Sequence, residues 1–268
     1  MRHRFMCPLT IVFILVNAPQ VLTAQEVLLR YKYTTGDSWK MKTSTQIHQE
    51  GEYIRDVNLS IDEVTSYHTE KVYEDSSADI ITNLETSETH YFNEKVKSAR
   101  ELLNGVSVLV RLAANGRVLE MKPVEDVSSK KQEMIELTKK QLQLDEGFPT
   151  RALRIGEKWE NKSAGSYDMG DQRIEQSLKI SLKFIGFDKF AGVKCAIVTM
   201  NVEVKGTITT QFEEAPVSGS GKGEIVFNPE SGKVLQHWME FESRATISHK
   251  KGPMELRTQY STKQELIQ

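Results

Sequence analysis

The sequence predicts a mainly β protein with one or two helices, its antiparallel sheets arranged in two related halves. Three observations carry that expectation. The dominant period of the apolar residues is two, with polar residues between them in several runs. Gly, Asn and Pro punctuate the alternating runs. One pair of short motifs occurs twice, in the same order. Alternation sends successive side chains to opposite faces, so one face can be buried and the other wet, as antiparallel sheets require.

Taken in chain order, residues 1–24 have the three parts of a secretory signal peptide. Arg2, His3 and Arg4 form a basic start, Cys7 to Val16 an apolar core, and Leu22-Thr23-Ala24 a small-residue cut. The apolar core is about ten residues, too short for the ~20 that a spanning helix needs. The expectation is an exported protein, periplasmic or extracellular, with no transmembrane span after cleavage and Gln25 as its first residue. No Cys follows Ala24, so bacterial lipidation is not supported. Cleavage removes two arginines and no acid, taking the net charge from −2 to −4. It also removes Cys7, which leaves Cys195 alone and reads as a small buried hydrophobe in the run Val193–Val198.

In the first half, residues 25–147, Val57, Leu59 and Ile61 alternate, with Tyr67 and Thr69 in phase, and Val106, Val108, Val110 and Leu112 follow. Asn115-Gly116 suits a two-residue hairpin turn with both residues at positive φ. Residues 125–145 lack Gly and Pro, and Met134, Ile135, Thr138 and Leu142 fall on one helical face, predicting a helix that ends before Gly147. A shorter helix over 94–103 is the second candidate. In the second half, residues 148–268, three further runs alternate. They are Ile174–Phe184 with Gln176 in phase, Ala196–Val204, and Leu235–Phe241 with His237 in phase. Asn228–Gly232 and Lys251-Gly252-Pro253 separate the later runs.

The duplication ties the halves together. Gly36-Asp37-Ser38-Trp39 returns as Gly156-Glu157-Lys158-Trp159, and Asn115-Gly116-Arg117-Val118-Leu119 returns as Ser231-Gly232-Lys233-Val234-Leu235. Gly provides a tight turn into a strand, the acid can bond nearby backbone, and Trp plugs the core at the strand's start. The leading Leu28–Tyr33 segment followed by Gly36-Asp37-x-Trp39 resembles a group of uncharacterised exported bacterial β-rich proteins that carry this motif twice. The Phe227–Leu235 turn is similar to the strand–turn–strand of periplasmic lipoprotein-carrier half-barrels. These resemblances imply a β-rich exported protein of bacterial origin, with room for an apolar ligand, and carry no catalytic residues. Asn58-Leu59-Ser60 and Asn161-Lys162-Ser163 are sequons that would matter only in a eukaryotic source.

Composition narrows the functions. With 35 Lys+Arg against 37 Asp+Glu, basic residues are in no excess, so nucleic acid is not an expected partner. No His-Glu-x-x-His or His-x-His places two metal ligands together, and no Gly-x-Ser-x-Gly elbow occurs. Gly219-Ser220-Gly221-Lys222-Gly223 fails as a phosphate loop, because Pro216 or Val217 stands where the first glycine belongs and Gly223 replaces the Mg²⁺-binding Ser or Thr. It reads as a flexible loop between strands. His237 reads as a half-buried strand residue. No catalytic residue, cofactor or metal is expected. Three functional classes remain: a non-enzymatic protein acting through contacts with envelope or secreted proteins; a carrier of an apolar ligand, such as a lipid or lipoprotein acyl chain, with Met134, Ile135 and Leu142 of the helix as lid contacts; and an enzyme with a dispersed site. The halves form either one continuous sheet or an open half-barrel.

Overall fold

The structure is a computed structural model that describes residues 26–52, 56–92, 94–96, 99–142, 147–169, 172–209, 214–249 and 252–267. The expected export segment and the expected new N-terminus, Gln25, lie outside these residues, as does Lys251. Strands β1 (Glu26–Val27), β2 (Ser38–Gly51), β3 (Val57–Val72), β4 (Ala78–Tyr91), β5 (Glu94–Val96), β6 (Ser107–Leu112) and β7 (Val118–Pro123) precede helix α1 (Ser129–Leu142). After it come β8 (Leu153–Arg154), β9 (Lys158–Met169), β10 (Gln172–Phe190), β11 (Val193–Thr209), β12 (Glu214–Asn228), β13 (Lys233–His249) and β14 (Gly252–Ile267).

All strand pairings are antiparallel, and twelve strands form one sheet. Its order is β7-β6-β4-β3-β2-β14-β13-β12-β11-β10-β9, with β5 pairing β4. The two halves meet where β14 pairs β2. The sheet is not closed into a barrel, since β7 and β9 are not paired with each other. It curls far enough that α1 touches both of these edge strands. A separate two-stranded ladder joins the segments that lead into each half, with Val27 opposite Leu153.

Residues opposite one another in a ladder share a face. One row runs Phe184, Val198, Ile225, His237, Gln264, Thr43, and the next runs Leu182, Met200, Gly223, Met239, Thr262, Thr45, Ile61. This face carries the core. The intervening row, Lys183, Thr199, Glu224, Trp238, Lys263, Ser44, Asp62, is largely polar. The main core cluster gathers Val27, Leu29, Phe148, Leu153, Phe184, Val198 and Phe227 at one end of the second half. A second joins Ile208, Val217, Ile247, Met254 and Leu256 at its other end. A third lies under the helix in the first half.

Four local expectations need correction. The segment 94–103 is β5 followed by a 3₁₀ turn, Ala99–Leu103. The run Gly219–Gly223 is no loop but the middle of β12. Its alternate glycines let strands crowd, because a Cβ at Gly219, Gly221 or Gly223 would lie 2.1–2.4 Å from a β13 carbonyl oxygen. The Asn115-Gly116 turn has positive φ at Gly116 alone, and Gly116 N–H donates to Ala113 O, so it is a tight turn followed by a left-handed glycine. Leu235 is not in phase with His237, because the register skips it between the Val226–Gln236 and Phe227–Val234 pairs.

Candidate functional site

The duplicated motifs build equivalent turns. Gly36 (φ 89°) donates to Thr69 O, Thr69 N–H donates to Asp37 O, and Asp37 N–H donates to Thr34 O. Gly156 (φ 90°) donates to Phe184 O, Phe184 N–H donates to Glu157 O, and Glu157 N–H donates to Arg154 O. Each partner strand then bulges at the next residue, Glu70 in one half and Ile185 in the other. Downstream, Gly116 (φ 91°) and Gly232 (φ 65°) sit in the second pair of turns, and the register skips the residue three places later, Leu119 or Leu235.

Side chains at matching positions have diverged. The Glu157 carboxylate accepts from Arg154 N–H and from Arg151, closing its own turn. Asp37 instead lies 3.9 Å from Lys233 Nζ. Trp159 packs against the main core, and its buried indole N–H has no partner among the described residues. Trp39 stacks on Tyr67 with centroids 5.2 Å apart, and Lys233 Nζ lies 4.9 Å from its ring centroid.

Two straps cross the end of the sheet where the glycine turns meet. In the first, Tyr31 N–H donates to Ala114 O and Lys32 N–H donates to Gly232 O, so one short segment touches both halves. In the second, Phe148 N–H donates to Asn115 O, the Asn115 amide donates back to Phe148 O, and the Asn161 amide donates to Gly147 O. The glycines permit this approach. A Cβ on Gly116 would meet the Tyr31 ring at 2.6 Å, and one on Gly232 would meet Lys32 N at 2.3 Å. Tyr31, Phe148 and Phe227 form an aromatic cluster with centroids 5.2–5.8 Å apart, and Tyr33 stacks on Tyr31.

Beneath the straps lies a cavity of about 290 Å³. Tyr31, Tyr33 and Phe148 form one wall and Trp39, Tyr67 and Met41 another, while Leu182, Ile225 and Val234 supply aliphatic surface. Its polar lining includes Asn115, Asn161, His237 and Gln264, with Lys32 and Lys233 as the charged residues. Among the described lining residues there is no Asp or Glu. His237 and Gln264 are opposite one another in the β13–β14 ladder. Burial pushes the His237 imidazole below its ordinary pKa, so it is neutral near pH 7. Burial, with Tyr31 beside it, pushes the Tyr33 phenol far up.

The structure brings Trp39, Gly116 and Gly232 to this cavity. It puts the expected lid residues elsewhere. Ile135 is buried against Val106, Val108, Val110 and Met121. Met134 is half-buried on α1, and the Leu142 side chain lies outside the described residues. No described helix residue lines the cavity. Gly36, Asp37, Gly156, Glu157 and Trp159 build the turns and core around it without lining it. Cys195 is fully buried, with its thiol pushed up by burial. Asn161, within a sequon, is buried. The lining residues Tyr31, Tyr33 and Phe148 were not singled out by their chemistry. Their signal is aromatic residues placed just ahead of each Gly-acid-x-Trp motif.

The fold and site therefore define a class: an open antiparallel sheet of two repeated halves, strapped at one end over an aromatic cavity. No family model matches the chain, and no curated protein matches it in sequence. Three solved structures are similar in outline. The hypothetical lipoprotein YmcC from Escherichia coli is 10% identical, with 81% of this chain and 85% of that one covered and a TM-score of 0.23. A protein of YmcC-like fold from Bacteroides fragilis is 12% identical, with 89% and 97% covered and a TM-score of 0.27. A loop-deletion mutant of OmpT, an outer membrane protein of Vibrio cholerae, is 5% identical, with 87% and 100% covered and a TM-score of 0.23. At such TM-scores none of them bears on function. Among the described residues, no helix is long and apolar enough to cross a membrane.

Proposed function

We propose that the chain is an exported, non-enzymatic binding protein whose cavity holds an apolar ligand such as a lipid or acyl chain. The observation that carries this is the cavity itself, a concave site walled by aromatic and aliphatic side chains with a few convergent polar groups, the usual make-up of a small-molecule site. Export is supported by the pattern of residues 1–24. An uncharged environment-sensitive dye added to the purified chain is expected to bind saturably, and Val234→Trp, which fills the cavity, is expected to remove that binding while the far-ultraviolet circular dichroism keeps its β form. No saturable binding at micromolar concentrations would end this reading.

A second reading, action through contacts with envelope proteins, is favoured by one observation: the sheet is open, and among the described residues β7 and β9 have no strand partner on their outer sides. Unpaired edges are templates for strand addition by another chain. Site-specific crosslinkers at β9 positions in the native host would capture a defined partner under this reading, and none under the first.

A further inference from the structure

Resting on the binding role above, we propose that the ligand is an anionic amphiphile, its apolar body against the aromatic walls and its single carboxylate or phosphate head held by Lys233 and Lys32. The argument is one of charge complementarity. The chain as a whole carries −2, yet the charged residues of the described lining are two lysines, with no acid among them. That local excess is not inherited from composition, so it belongs to the site.

Among the described residues, neither ammonium has all of its donors taken up by the protein. Lys32 Nζ makes one hydrogen bond, to the backbone oxygen of Glu230, and an ammonium has three donors. Among the described residues, Lys233 Nζ makes no hydrogen bond. It sits against the face of Trp39, and its nearest carboxylate, on Asp37, is 3.9 Å away, beyond hydrogen-bond length. The Trp39 contact places the Lys233 ammonium at the cavity wall, so a donor is already in place where a head would arrive.

The remaining polar groups would not supply a counter-charge of the other sign. The Asn115 and Asn161 amides are engaged with strap backbone. His237 and Gln264 are neutral neighbours on the core face. A cationic head would meet two ammonium groups. A wholly apolar ligand would draw nothing from either ammonium.

The test compares three competitors with the same chain and different heads, dodecan-1-ol, dodecanoate and dodecyl phosphate, displacing an uncharged environment-sensitive dye from the purified chain. At least one of the two anions is expected to compete about tenfold better than the alcohol, as one charge-assisted hydrogen bond allows. The advantage should shrink between about 0.01 M and about 0.15 M salt, as the screening length falls from ~30 Å to ~8 Å. Lys233→Met and Lys32→Met should each reduce the anion's advantage and leave the alcohol unchanged. Lys233→Arg should keep it, and Lys222→Met, which removes a lysine paired with Glu240 away from the cavity, should have no effect. Which anion wins identifies the head. If the dye binds but the three compete equally, or none competes, the anionic reading falls and the binding role stands. If the dye itself does not bind, the binding role falls and this inference with it.

Discussion

The two halves use the same backbone turns and finish differently. In each, a left-handed glycine opens the first long strand, a bulge follows on its partner, and a second left-handed glycine precedes a skipped residue. After the second hairpin the first half runs into α1, whereas the second runs into β14, which pairs β2 of the first half. The difference explains the architecture. If both halves ended in a strand, each could add it to the other and the sheet could close. With a helix in one copy, the ring is left open, and α1 touches both free edges. Repetition here preserves what the backbone needs, glycines at positive φ, and leaves side chains free to diverge. That freedom put a core tryptophan in one copy and a cavity tryptophan in the other.

The tryptophans offer the largest test of that divergence. Trp159 is packed into the main core beside Phe148, and truncation to Ala should cost about 3–5 kcal/mol. Trp39 borders empty space, and its loss should cost about 2 kcal/mol, mostly the stacking on Tyr67 and part of its burial. Urea unfolding of the two variants measures both. Equal losses would mean that the two copies kept the same side-chain role, contrary to their packing.

The glycines should rank in the opposite sense, by turn rather than by half. A Cβ at Gly36 or Gly156 meets nothing within 4 Å, so Ala there carries only the backbone strain of positive φ, about 1–2 kcal/mol at each. Gly232→Ala adds a collision with the backbone of Lys32, and Gly116→Ala one with the Tyr31 ring, a side chain rather than backbone. The expected order is Gly232→Ala, then Gly116→Ala, then the other two alike, read from the same unfolding midpoints. A large difference between Gly36→Ala and Gly156→Ala would break the equivalence of the first turns.

Much of this fold was legible because its signals are local. Alternation marked β3, β6, β10, β11 and β13, a Gly-free run of Glu, Lys, Gln and Leu marked α1, and the glycine motifs marked both copies. β12 was partly hidden for a physical reason: Gly219, Gly221 and Gly223 occupy the core-face positions where apolar residues would have revealed a strand. The segment 94–103 has too few apolar residues to separate a short strand from a helix. The cavity was not legible at all beyond Trp39 and two glycines. Its walls draw Tyr31 and Phe148 from straps, Tyr67 from β3, Leu182 from β10 and His237 from β13, and only the curl of the sheet brings them together. A helix looked like the natural lid, but one buried side chain, Ile135, commits it to the first half's own core.

The smallest expected effect concerns the seam between the halves. Arg257 on β14 reaches Glu50 on β2 and Glu242 on β13, so it ties the ladder that joins the copies to its neighbour within the second half. Hydrogen bonds from Arg257 and then Arg244 hold the Glu242 carboxyl down to about 2, against 4.5 in an unperturbed glutamate. A carboxyl depressed by folding contributes stability above its unfolded pKa and loses it as pH falls through its folded one. The seam's contribution should therefore be complete above pH 4.5 and fade between there and about pH 2. It should be slight even when complete, because these groups are part-exposed and screened by solvent. Asp79 in the first half complicates a simple acid titration, since Arg111 and Tyr73 also hold its carboxyl low, and its place in the second half is taken by Ile197. Glu242→Gln separates the two, because it removes the seam term and leaves Asp79 alone. Urea midpoints of the parent chain and Glu242→Gln should differ most above pH 4.5 and converge towards pH 2. A gap that stays constant across that window would mean that Glu242 acts through packing, and that the ladder β14–β2 holds the halves together without help from its charges.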